Sequence, residues 1–438
     1  MTMMMGLGRV SKAARRAQGL RVQKGMFSSL TTSDLIGLEK KYGCHNYEPI
    51  PVALAKGQGA NVWDVEGKQY LDFLSAYSAV NQGHCHPKIV KALTDQAGTL
   101  ALTSRAFYNS VLGEYAEYIT KMFGYDKVLP MNTGVEGGES AVKLTRRWGY
   151  DKKGIPDNQA VVLFAENNFW GRTLAAISSS SDPSCYERFG PYMPGFELVP
   201  YNDLEALEAK FKSNPNIAGY MLEPIQGEAG VFVPDDGYLK GVRDLCTKYN
   251  VLMVADEVQT GLCRTGKMLA VDHENVRPDI VILGKALSGG AYPVSAVLCD
   301  NEIMDNIHPG QHGSTYGGSP VACKVALAAL QVLVEENLAE RSTKSGEFFR
   351  SSLRELQNEV GHDVIHEVRG KGLLNAMVVN PNLDQDALAL CMHMKENGLI
   401  AKPTHGNIIR FAPPLVIEQA DLEKGISIIR DSTKQVLC

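Results

Sequence analysis

The feature that most restricts the fold is a series of short strand-like runs that are apolar almost throughout. Helical segments separate these runs, which lie at 127–132, 160–165, 217–225, 251–258 and 279–284. A strand that is apolar on both faces is buried on both faces, so the pattern predicts a largely parallel sheet flanked by helices, an α/β fold. Such a sheet binds its ligands at the carboxyl ends of its strands.

The chain on either side of these runs has a different pattern of apolar and polar residues. Residues 52–75 alternate apolar and polar side chains between glycines, which predicts a small antiparallel meander. From residue 321 a long helical stretch precedes strand-like pieces at 364–369, 373–379 and 408–411 and a closing helix around 417–432, typical of a smaller α+β domain. We therefore expect an N-terminal segment (34–77), a large ligand-binding domain (78–320) and a C-terminal small domain (321–438), with the N-terminal segment joining the C-terminal part to form the smaller α+β domain.

Composition argues against several classes of protein. A net charge of -5 gives no general attraction to nucleic acid, and no run of about 18 apolar residues is present to span a membrane. The nine cysteines are scattered and form no CxxC pair, which indicates reduced thiols and not a disulfide framework. His84-Cys85-His86 could suggest a metal site, but adjacent residues in an extended chain point to opposite faces, so we expect no metal.

Residues 1–33 are basic and contain no Asp or Glu. Their apolar residues follow helical spacing at Leu7, Val10, Ala14 and Ala17. A basic amphipathic helix of this kind is typical of a mitochondrial import peptide, which predicts a protein of the mitochondrial matrix. The alternative is a basic tail on a cytoplasmic protein.

An acid and a lysine follow two of the apolar strands. Asp256 lies at the carboxyl end of one, and Lys285 lies just past the end of another. Desolvation at this edge would lower the pKa of the lysine and favour the neutral amine, the form that attacks an aldehyde. The acid would pair with a protonated ring nitrogen of an aromatic cofactor. Taken alone, Asp256 could instead cap a helix and Lys285 could cover apolar surface.

A phosphate site is predicted where the first strand turns into a helix. The backbone N–H groups of Gly134 and Val135 would point at the phosphate, and Thr133 would cap the helix with Glu136 as its partner. The alternative is an ordinary capped helix. Gly137 lies in this helix, where we expect it to cost about 1 kcal/mol of helix stability.

A second loop rich in small residues, GSTYGG at 313–318, carries two hydroxyls. Ser314 and Thr315 could donate hydrogen bonds to phosphate oxygens. The alternative is a simple turn.

These motifs resemble those of a known family. The Asp-Glu-x-x-x-Gly stretch from Asp256 and the Gly-Lys-x-x-x-Gly-Gly stretch around Lys285, 29 positions apart, resemble the signature of class-III aminotransferases of pyridoxal-phosphate (PLP) fold type I. Residues 40–430 can be read in register with that family. The strings at 42–54, 77–90, 102–109, 168–173, 223–231, 368–376 and 401–415 resemble the members of the family that act on ornithine.

The resemblance implies a bound PLP and a role for each residue around it. Lys285 should form a Schiff base with the cofactor and then move the proton of the substrate carbon, while Asp256 keeps the ring nitrogen protonated. Phe169 should stack on the ring, and Gln259 should contact its phenolic oxygen. The phosphate should be bound by Gly134, Val135, Ser314 and Thr315. Thr315 should come from the partner subunit of a homodimer with shared active sites.

The resemblance also implies ornithine and 2-oxoglutarate as substrates, with a pocket for each. Arg172 and Tyr47 should bind the α-carboxylate end of ornithine, and Tyr77 should line the pocket. Arg410 should bind the carboxylate of glutamate or 2-oxoglutarate, and Glu228 should mask this arginine while ornithine is bound. Simple packing of Tyr77 and a surface ion pair of Arg410 are the alternatives.

Other functions would need different residues or fit this pattern less well. A near alternative is the transfer of an amino group from N-acetylornithine or 4-aminobutyrate. A non-enzymatic binding scaffold would have little use for Lys285, Asp256 and Arg410 together. A nicotinamide-dependent dehydrogenase would need a Gly-x-Gly-x-x-Gly turn after its first strand, and that turn is absent from the sequence.

Overall fold

The computed structural model describes residues 30–438, so the predicted import segment lies almost entirely outside the described residues. The described chain divides into two compact units. The smaller unit holds the chain up to Lys56 together with Trp63–Gln69, and the larger holds Gly57–Val62 and Tyr70–Cys438. The domain boundaries expected at 77/78 and 320/321 stay predictions.

The smaller unit begins with helix α1 (Thr32–Tyr42). Its first turn is closed by a capping box, because the Thr31 hydroxyl accepts from Asp34 N–H while the Asp34 carboxylate accepts from Thr31 N–H. Within the same unit, Glu66 accepts a hydrogen bond from Thr32 N–H at 2.6 Å. The strands expected in 52–75 are present as β1 (Leu54–Gln58), β2 (Asn61–Asp64) and β3 (Gln69–Asp72).

A seven-stranded sheet forms the centre of the larger unit. Its strands are β4 (Lys127–Met131), β5 (Val161–Ala165), β6 (Phe196–Val199), β7 (Ile217–Leu222), β8 (Leu252–Asp256), β9 (Ile280–Leu283) and β10 (Ser295–Cys299). They pair in the order β4-β10-β9-β8-β7-β5-β6, and only β10 runs antiparallel to its neighbours. This confirms the mostly parallel sheet. The five apolar runs became strands, while the short β6 and β10 were not predicted.

Helices flank this sheet. They are α2 (Pro87–Thr99), α3 (Leu112–Phe123), α4 (Gly134–Asp151), α5 (Leu174–Ser178), α6 (Pro183–Tyr186), α7 (Leu204–Ser213), α8 (Tyr238–Lys248), α9 (Asn301–Met304) and α10 (Pro320–Glu335). The face of α4 that carries Leu144 and Trp148 packs with Phe164, Val254 and Ile282 in one buried apolar cluster. Each such side chain contributes about 1.5–3 kcal/mol when fully buried, which fixes α4 on the sheet.

The C-terminal part is built on a second, antiparallel sheet. Its elements are α11 (Leu338–Val360), β11 (Ile365–Lys371), β12 (Leu374–Val379), α12 (Ala387–Glu396), β13 (Leu399–Ile400), β14 (Lys402–Thr404), β15 (Ile408–Phe411) and α13 (Gln419–Val436). Strands pair as β11-β12-β15-β14. The expected strand pieces and closing helix are confirmed. The single helix expected from 321 is wrong, because the chain breaks it at Asn337, whose φ of 52° is left-handed.

None of the helices in the part of the chain that the structure describes is both long and apolar enough to cross a membrane.

Candidate active site

Three ionisable side chains follow neighbouring strands of the central sheet at its carboxyl edge. Glu223 follows β7, Asp256 ends β8, and Lys285 follows β9 after one glycine. Because β7, β8 and β9 are adjacent and parallel, their carboxyl ends lie side by side. The structure therefore brings the predicted acid and lysine together, with a second acid beside them.

Asp256 is buried and makes few hydrogen bonds. Its side chain is 6% exposed, and its Oδ1 accepts from Val258 N–H at 3.0 Å. Of the described residues, no other donates to this carboxylate. Burial raises the pKa of Asp256 to about 6, against the opposing effects of that hydrogen bond and the charge of Lys285. A buried carboxylate with an unused oxygen is suited to a cationic N–H group.

Lys285 begins a short 3-10 helix (Lys285–Ser288) in a left-handed conformation, with φ of 43°. Its amine makes no hydrogen bond with any described residue. Burial lowers the pKa of Lys285, while the negative charges of Asp256, Glu223 and Glu228 oppose this shift. A lysine with a lowered pKa holds a larger fraction of the neutral, nucleophilic amine.

Glu223 was missed from the sequence. It is 6% exposed and accepts from Phe169 N–H at 3.0 Å and from Gly227 N–H at 3.3 Å. Burial first, and then the charge of Asp256, raise the pKa of Glu223 to about 8. The signal was available, because an acidic residue directly after a buried strand is the same pattern that singled out Asp256.

The amino end of α4 lies against this group of residues. The predicted capping box between Thr133 and Glu136 is confirmed, with Thr133 N–H donating to the Glu136 carboxylate at 2.8 Å. No described residue accepts from the N–H groups of Gly134 and Val135. A Cβ at Gly134 would lie 3.0 Å from a Val258 methyl group, so the helix start, the Asp256 strand end and the Lys285 turn converge.

Phe169 and Gln259 occupy the loops next to the two acids. The backbone of Phe169 is held by Glu223, and the guanidinium of Arg172 lies 5.5 Å from the centre of the Phe169 ring. Gln259 is buried, and its amide lies so close to Gly227 that no side chain larger than hydrogen fits there.

Arg410 lies in β15 and forms an ion pair across the site. Its Nη1 donates to Glu228 at 2.7 Å, and the Arg410 side chain is 5% exposed while that of Glu228 is 31% exposed. The guanidinium also lies 4.9 Å from the centre of the Tyr77 ring, within the range of a cation–π interaction. Arg410 thus contacts two other residues predicted to surround the substrate, Glu228 and Tyr77.

Tyr77 lies in an unusual turn. Ser75, Ala76, Tyr77 and Ser78 all have left-handed φ angles, of 50°, 47°, 60° and 69°. A left-handed conformation costs a residue with a side chain roughly 1–2 kcal/mol, so this turn must be held by its surroundings. The nearest polar anchor is Asp72, whose Oδ1 accepts from Leu74 N–H and Ser75 N–H at 2.8 and 2.9 Å.

The remaining predicted site residues are Ser314, Thr315 and Tyr47. Ser314 accepts from the Asn132 side chain at 2.9 Å, near the start of α4, whereas Thr315 is exposed. Tyr47 belongs to the smaller unit and is 68% exposed. The roles of these residues stay predictions.

The two histidines of the His84-Cys85-His86 sequence have separate partners. His84 Nε2 lies 2.7 Å from Asp72 Oδ2, and His86 Nε2 lies 2.8 Å from Glu336 Oε1. Among residues 30–438 no group of three or more His, Cys, Asp or Glu side chains could hold a metal ion.

Residues 42–432 match the model of the class-III aminotransferase family. The chain belongs to this family. The family's cofactor is pyridoxal 5′-phosphate, so the protein is a PLP-dependent transaminase of fold type I.

Relatives within the class-III aminotransferases are close. The chain is 65% identical over 415 residues to the mitochondrial ornithine aminotransferase of Drosophila melanogaster, covering 94% of this chain and 95% of the relative. The solved ornithine aminotransferase of Toxoplasma gondii is 48% identical with a TM-score of 0.91, over 96% of this chain and 97% of that one. The solved acetylornithine aminotransferase of Elizabethkingia anophelis is 55% identical with a TM-score of 0.85, over 93% and 100%.

The site of this class-III aminotransferase fits PLP on its own geometry. The Lys285 amine, the second oxygen of Asp256 and the N–H groups of Gly134 and Val135 have no hydrogen-bond partner among the described residues. These are the groups that an aldehyde, a protonated ring nitrogen and a phosphate require. The close packing at Gly134 brings all of them to one place.

Proposed function

We propose that this transaminase moves the δ-amino group of L-ornithine to 2-oxoglutarate. The products are L-glutamate and glutamate-5-semialdehyde, which cyclises to 1-pyrroline-5-carboxylate. The observation that carries the proposal is the ion pair of Arg410 with Glu228, 2.7 Å long, whose two charges both act on Lys285. The names of the Drosophila and Toxoplasma relatives support the same substrate.

Lys285 and Asp256 act at the cofactor. When bound, PLP supplies an aldehyde that takes up the amino group and a ring that stabilises negative charge on the neighbouring carbon. Lys285, with its lowered pKa, would hold the aldehyde and would then carry the proton that leaves the substrate carbon. Asp256 would accept the hydrogen bond of the ring N–H and keep that nitrogen protonated.

Further residues hold the cofactor in place. Phe169, whose backbone is fixed by Glu223, would pack on the ring, and Gln259 would face the phenolic oxygen. The N–H groups of Gly134 and Val135 would bind the phosphate at the positive end of the α4 dipole. Ser314 and Thr315 would add hydroxyl donors to the same phosphate.

Arg410 and Glu228 allow two unlike substrates to share one pocket. Glutamate has a carboxylate next to its reacting carbon, and Arg410 binds it in a bidentate fork. Ornithine has only methylene groups there, and an unpaired arginine facing them would be costly. Glu228 therefore neutralises Arg410 while ornithine is bound and releases it when glutamate or 2-oxoglutarate enters.

The α-carboxylate and α-amine of ornithine must be held away from the cofactor. Arg172 is exposed and carries the guanidinium suited to the carboxylate. Tyr77 lines the pocket between this end and Arg410.

The protein acts as a homodimer in which Thr315 of each chain completes the partner's phosphate site. Exposed aromatic side chains near this loop support the proposal: Phe107, Tyr108 and Tyr316 are 72%, 100% and 52% exposed. Co-expression of Lys285→Ala and Thr315→Ala chains tests it. A shared site gives hybrid dimers one intact site and restored activity, whereas separate sites give none.

The site of action is the mitochondrial matrix. The basic residues 1–33 and the name of the mitochondrial Drosophila relative support this location. Residues 1–33 fused to a fluorescent reporter should direct it to mitochondria. A diffuse signal would favour the cytoplasmic alternative.

N-acetylornithine is a second candidate donor, because the acetylornithine aminotransferase of Elizabethkingia anophelis is 55% identical. Single-turnover reactions with ornithine, N-acetylornithine and 4-aminobutyrate separate the candidates, with the cofactor absorbance as the signal. We expect ornithine to react fastest and to yield a trapped pyrroline. The semialdehyde formed from N-acetylornithine cannot cyclise, because its α-amine is acetylated. A faster reaction of N-acetylornithine, without pyrroline, would therefore overturn the proposal.

The cofactor roles are tested in the same assay. Lys285→Ala should slow the single turnover by about 10²–10⁴-fold, the usual contribution of a proton-transferring group. Asp256→Asn should leave PLP bound but slow the same step. Lys267→Ala, which changes an exposed lysine at the end of the Asp256 stretch, is the control and should react normally.

A further inference from the structure

We propose that Asp72 and His84 form a positioning pair that holds Tyr77 against Arg410 in the substrate pocket. The inference rests on the proposed function for the role of Arg410. Neither Asp72 nor His84 belongs to the cofactor machinery described above, and both act through the left-handed turn Ser75–Ser78.

Asp72 connects the turn to His84 through its two oxygens. Its Oδ1 accepts from the backbone N–H groups of Leu74 and Ser75, at 2.8 and 2.9 Å. Its Oδ2 lies 2.7 Å from His84 Nε2. The carboxylate is only 6% exposed, so its orientation is set by these partners and not by water. The position of His84 therefore determines where the first residues of the turn are held.

The turn depends on this outside support. Four consecutive residues with side chains adopt left-handed φ angles, and no glycine is among them. Ser75 and Ser78 are buried, and neither hydroxyl hydrogen bonds with any described residue. Inside the turn, Ala79 N–H donates to Ser75 O at 2.9 Å. The hydrogen bonds to Asp72 are thus the side-chain anchor of a strained conformation.

The turn presents Tyr77 to the substrate pocket. The Arg410 guanidinium lies over the Tyr77 ring at 4.9 Å. The chain before the turn is also tied to the strand of Arg410, because Ala412 N–H donates to Phe73 O at 2.8 Å. A turn that relaxes at Asp72 would therefore carry Tyr77 away from an arginine whose own strand stays in place.

His84 is fixed independently of the turn. Its backbone exchanges two hydrogen bonds with Gly59, at 2.8 and 3.1 Å. A Cβ at Gly57 would lie 2.8 Å from the His84 Cβ, so glycine is needed at 57 for the imidazole to lie where it does. His84 is therefore a rigid support for Asp72.

The sequence provides a matched control two residues further on. His86 also pairs with a carboxylate, Glu336 at 2.8 Å, and among the described residues the Glu336 side chain forms no hydrogen bond with the turn. His84→Leu removes the hydrogen bond to Asp72, His84→Gln keeps an N–H donor, and His86→Leu removes only the second pair.

The experiment measures the half-reaction of the PLP-loaded enzyme with glutamate, followed by the cofactor absorbance. His84→Leu should raise the glutamate KM about tenfold, since small misplacements of binding groups have effects of this size or larger. The rate at saturation and the absorbance spectrum of the resting enzyme should stay unchanged. His84→Gln should restore the KM, and His86→Leu should not alter it. An unchanged KM in folded His84→Leu would overturn the proposal.

A double-mutant cycle distinguishes positioning from a general loss of stability. In a Tyr77→Ala background, His84→Leu should have no further effect on the KM, because its effect passes through Tyr77. A general structural role would give the same loss in both backgrounds, and that result would also overturn the proposal. If His84→Leu does not fold, Gly57→Ala takes its place, since it displaces the imidazole without removing it.

Failure of the proposed function gives a different pattern. If ornithine is not the donor, the glutamate half-reaction still reports on Tyr77 and Arg410. If glutamate does not react at all, a crystal structure of His84→Leu tests whether His84 positions Tyr77. We expect the Tyr77 ring to leave the Arg410 guanidinium, and an unmoved ring would contradict the inference.

Discussion

The position of a residue in the fold changes its ionisation, as Glu223, Asp256 and Lys285 show. All three lie at neighbouring strand ends, where burial disfavours every charged form. It raises the pKa of Glu223 and Asp256 and lowers that of Lys285. Asp256 leaves one oxygen without a hydrogen-bond partner among the described residues, whereas both oxygens of Glu223 are engaged by backbone N–H groups. We therefore regard Glu223 as a structural support of the site.

The raised pKa of Glu223 predicts a pH-dependent stability. Between its ordinary value of 4.5 and about 8 the folded protein binds more protons here than the unfolded chain. This contribution is fully present below pH 4.5 and is lost as the pH rises through about 8, by at most about 1.4 kcal/mol per pH unit. Urea unfolding of the cofactor-free protein and of Glu223→Gln at several pH values measures it. The variant should show the flatter curve, and parallel curves would refute the prediction.

The ion pair of Arg410 and Glu228 predicts a change in substrate preference. Glu228→Ala leaves Arg410 unpaired opposite the methylene groups of ornithine, so kcat/KM for ornithine should fall about 10–100-fold. Glutamate provides its own carboxylate, so its kcat/KM should stay equal or rise. Single-turnover rates with each donor measure this. Glu367→Ala, which breaks a more exposed pair with Arg369, serves as the control. Equal losses for both donors would argue against masking.

Helix α4 shows that an element can need residues that weaken it locally. The sequence alone marks Gly137 as a cost to helix stability. In the structure a Cβ at Gly137 would lie 2.9 Å from a methyl group of Ile282, and one at Gly138 would overlap the Trp170 ring. The glycines let the amino end of α4 lie close to β9 and the Phe169 loop, where its N–H groups reach the site.

The close packing of α4 predicts that a better helix former destabilises the protein. Gly138→Ala should lower the free energy of unfolding by about 1–3 kcal/mol, the usual cost of overpacking, although alanine favours helix. Gly37→Ala in α1 is the matched control, since nothing lies within 4 Å of its Cβ position, and it should not destabilise. Denaturant unfolding of both variants checks the difference. A stabilised Gly138→Ala protein would be incompatible with this packing.

At the scale of the whole molecule, Arg264 joins distant parts of the larger unit. It is completely buried and donates to Asn81 Oδ1 at 3.1 Å, to Leu373 O at 2.9 Å and to Pro413 O at 2.7 Å. Burial lowers the pKa of Arg264 to about 9, and the charge of Asp72 opposes this shift. One guanidinium thus connects the central sheet region with the C-terminal strands that carry Arg410.

Replacing this guanidinium should be costly. Arg264→Lys offers three donors without the planar fork and would leave buried acceptors unsatisfied, so the free energy of unfolding should fall by about 3 kcal/mol or more. Arg277→Lys, whose arginine pairs with Asp300 at the surface, should change it by less than about 1 kcal/mol. Denaturant titrations of both variants provide the comparison, and similar losses would show that Arg264 has no special role.

The sequence by itself determined the parallel sheet, the strand ends that carry Asp256 and Lys285, the capped start of α4 and the family. These features depend on local patterns: the burial period of a strand, a capping box, and two motifs at a fixed spacing. It missed β6, a four-residue strand in which only Val199 is buried, and β10, which is as long as the predicted β8. It also joined α10 to α11, because a single left-handed residue leaves no pattern.

Only the tertiary structure decided which distant residues meet. The pairing of Arg410 with Glu228, the support of Phe169 by Glu223, the fit of α4 against Trp170 and the link from His84 through Asp72 to Tyr77 all join separate segments. No local pattern encodes such contacts, because they arise when the elements pack. The residue types thus predicted the chemistry of the site, while the fold determined the burial, the charge balance and the spacing of these residues.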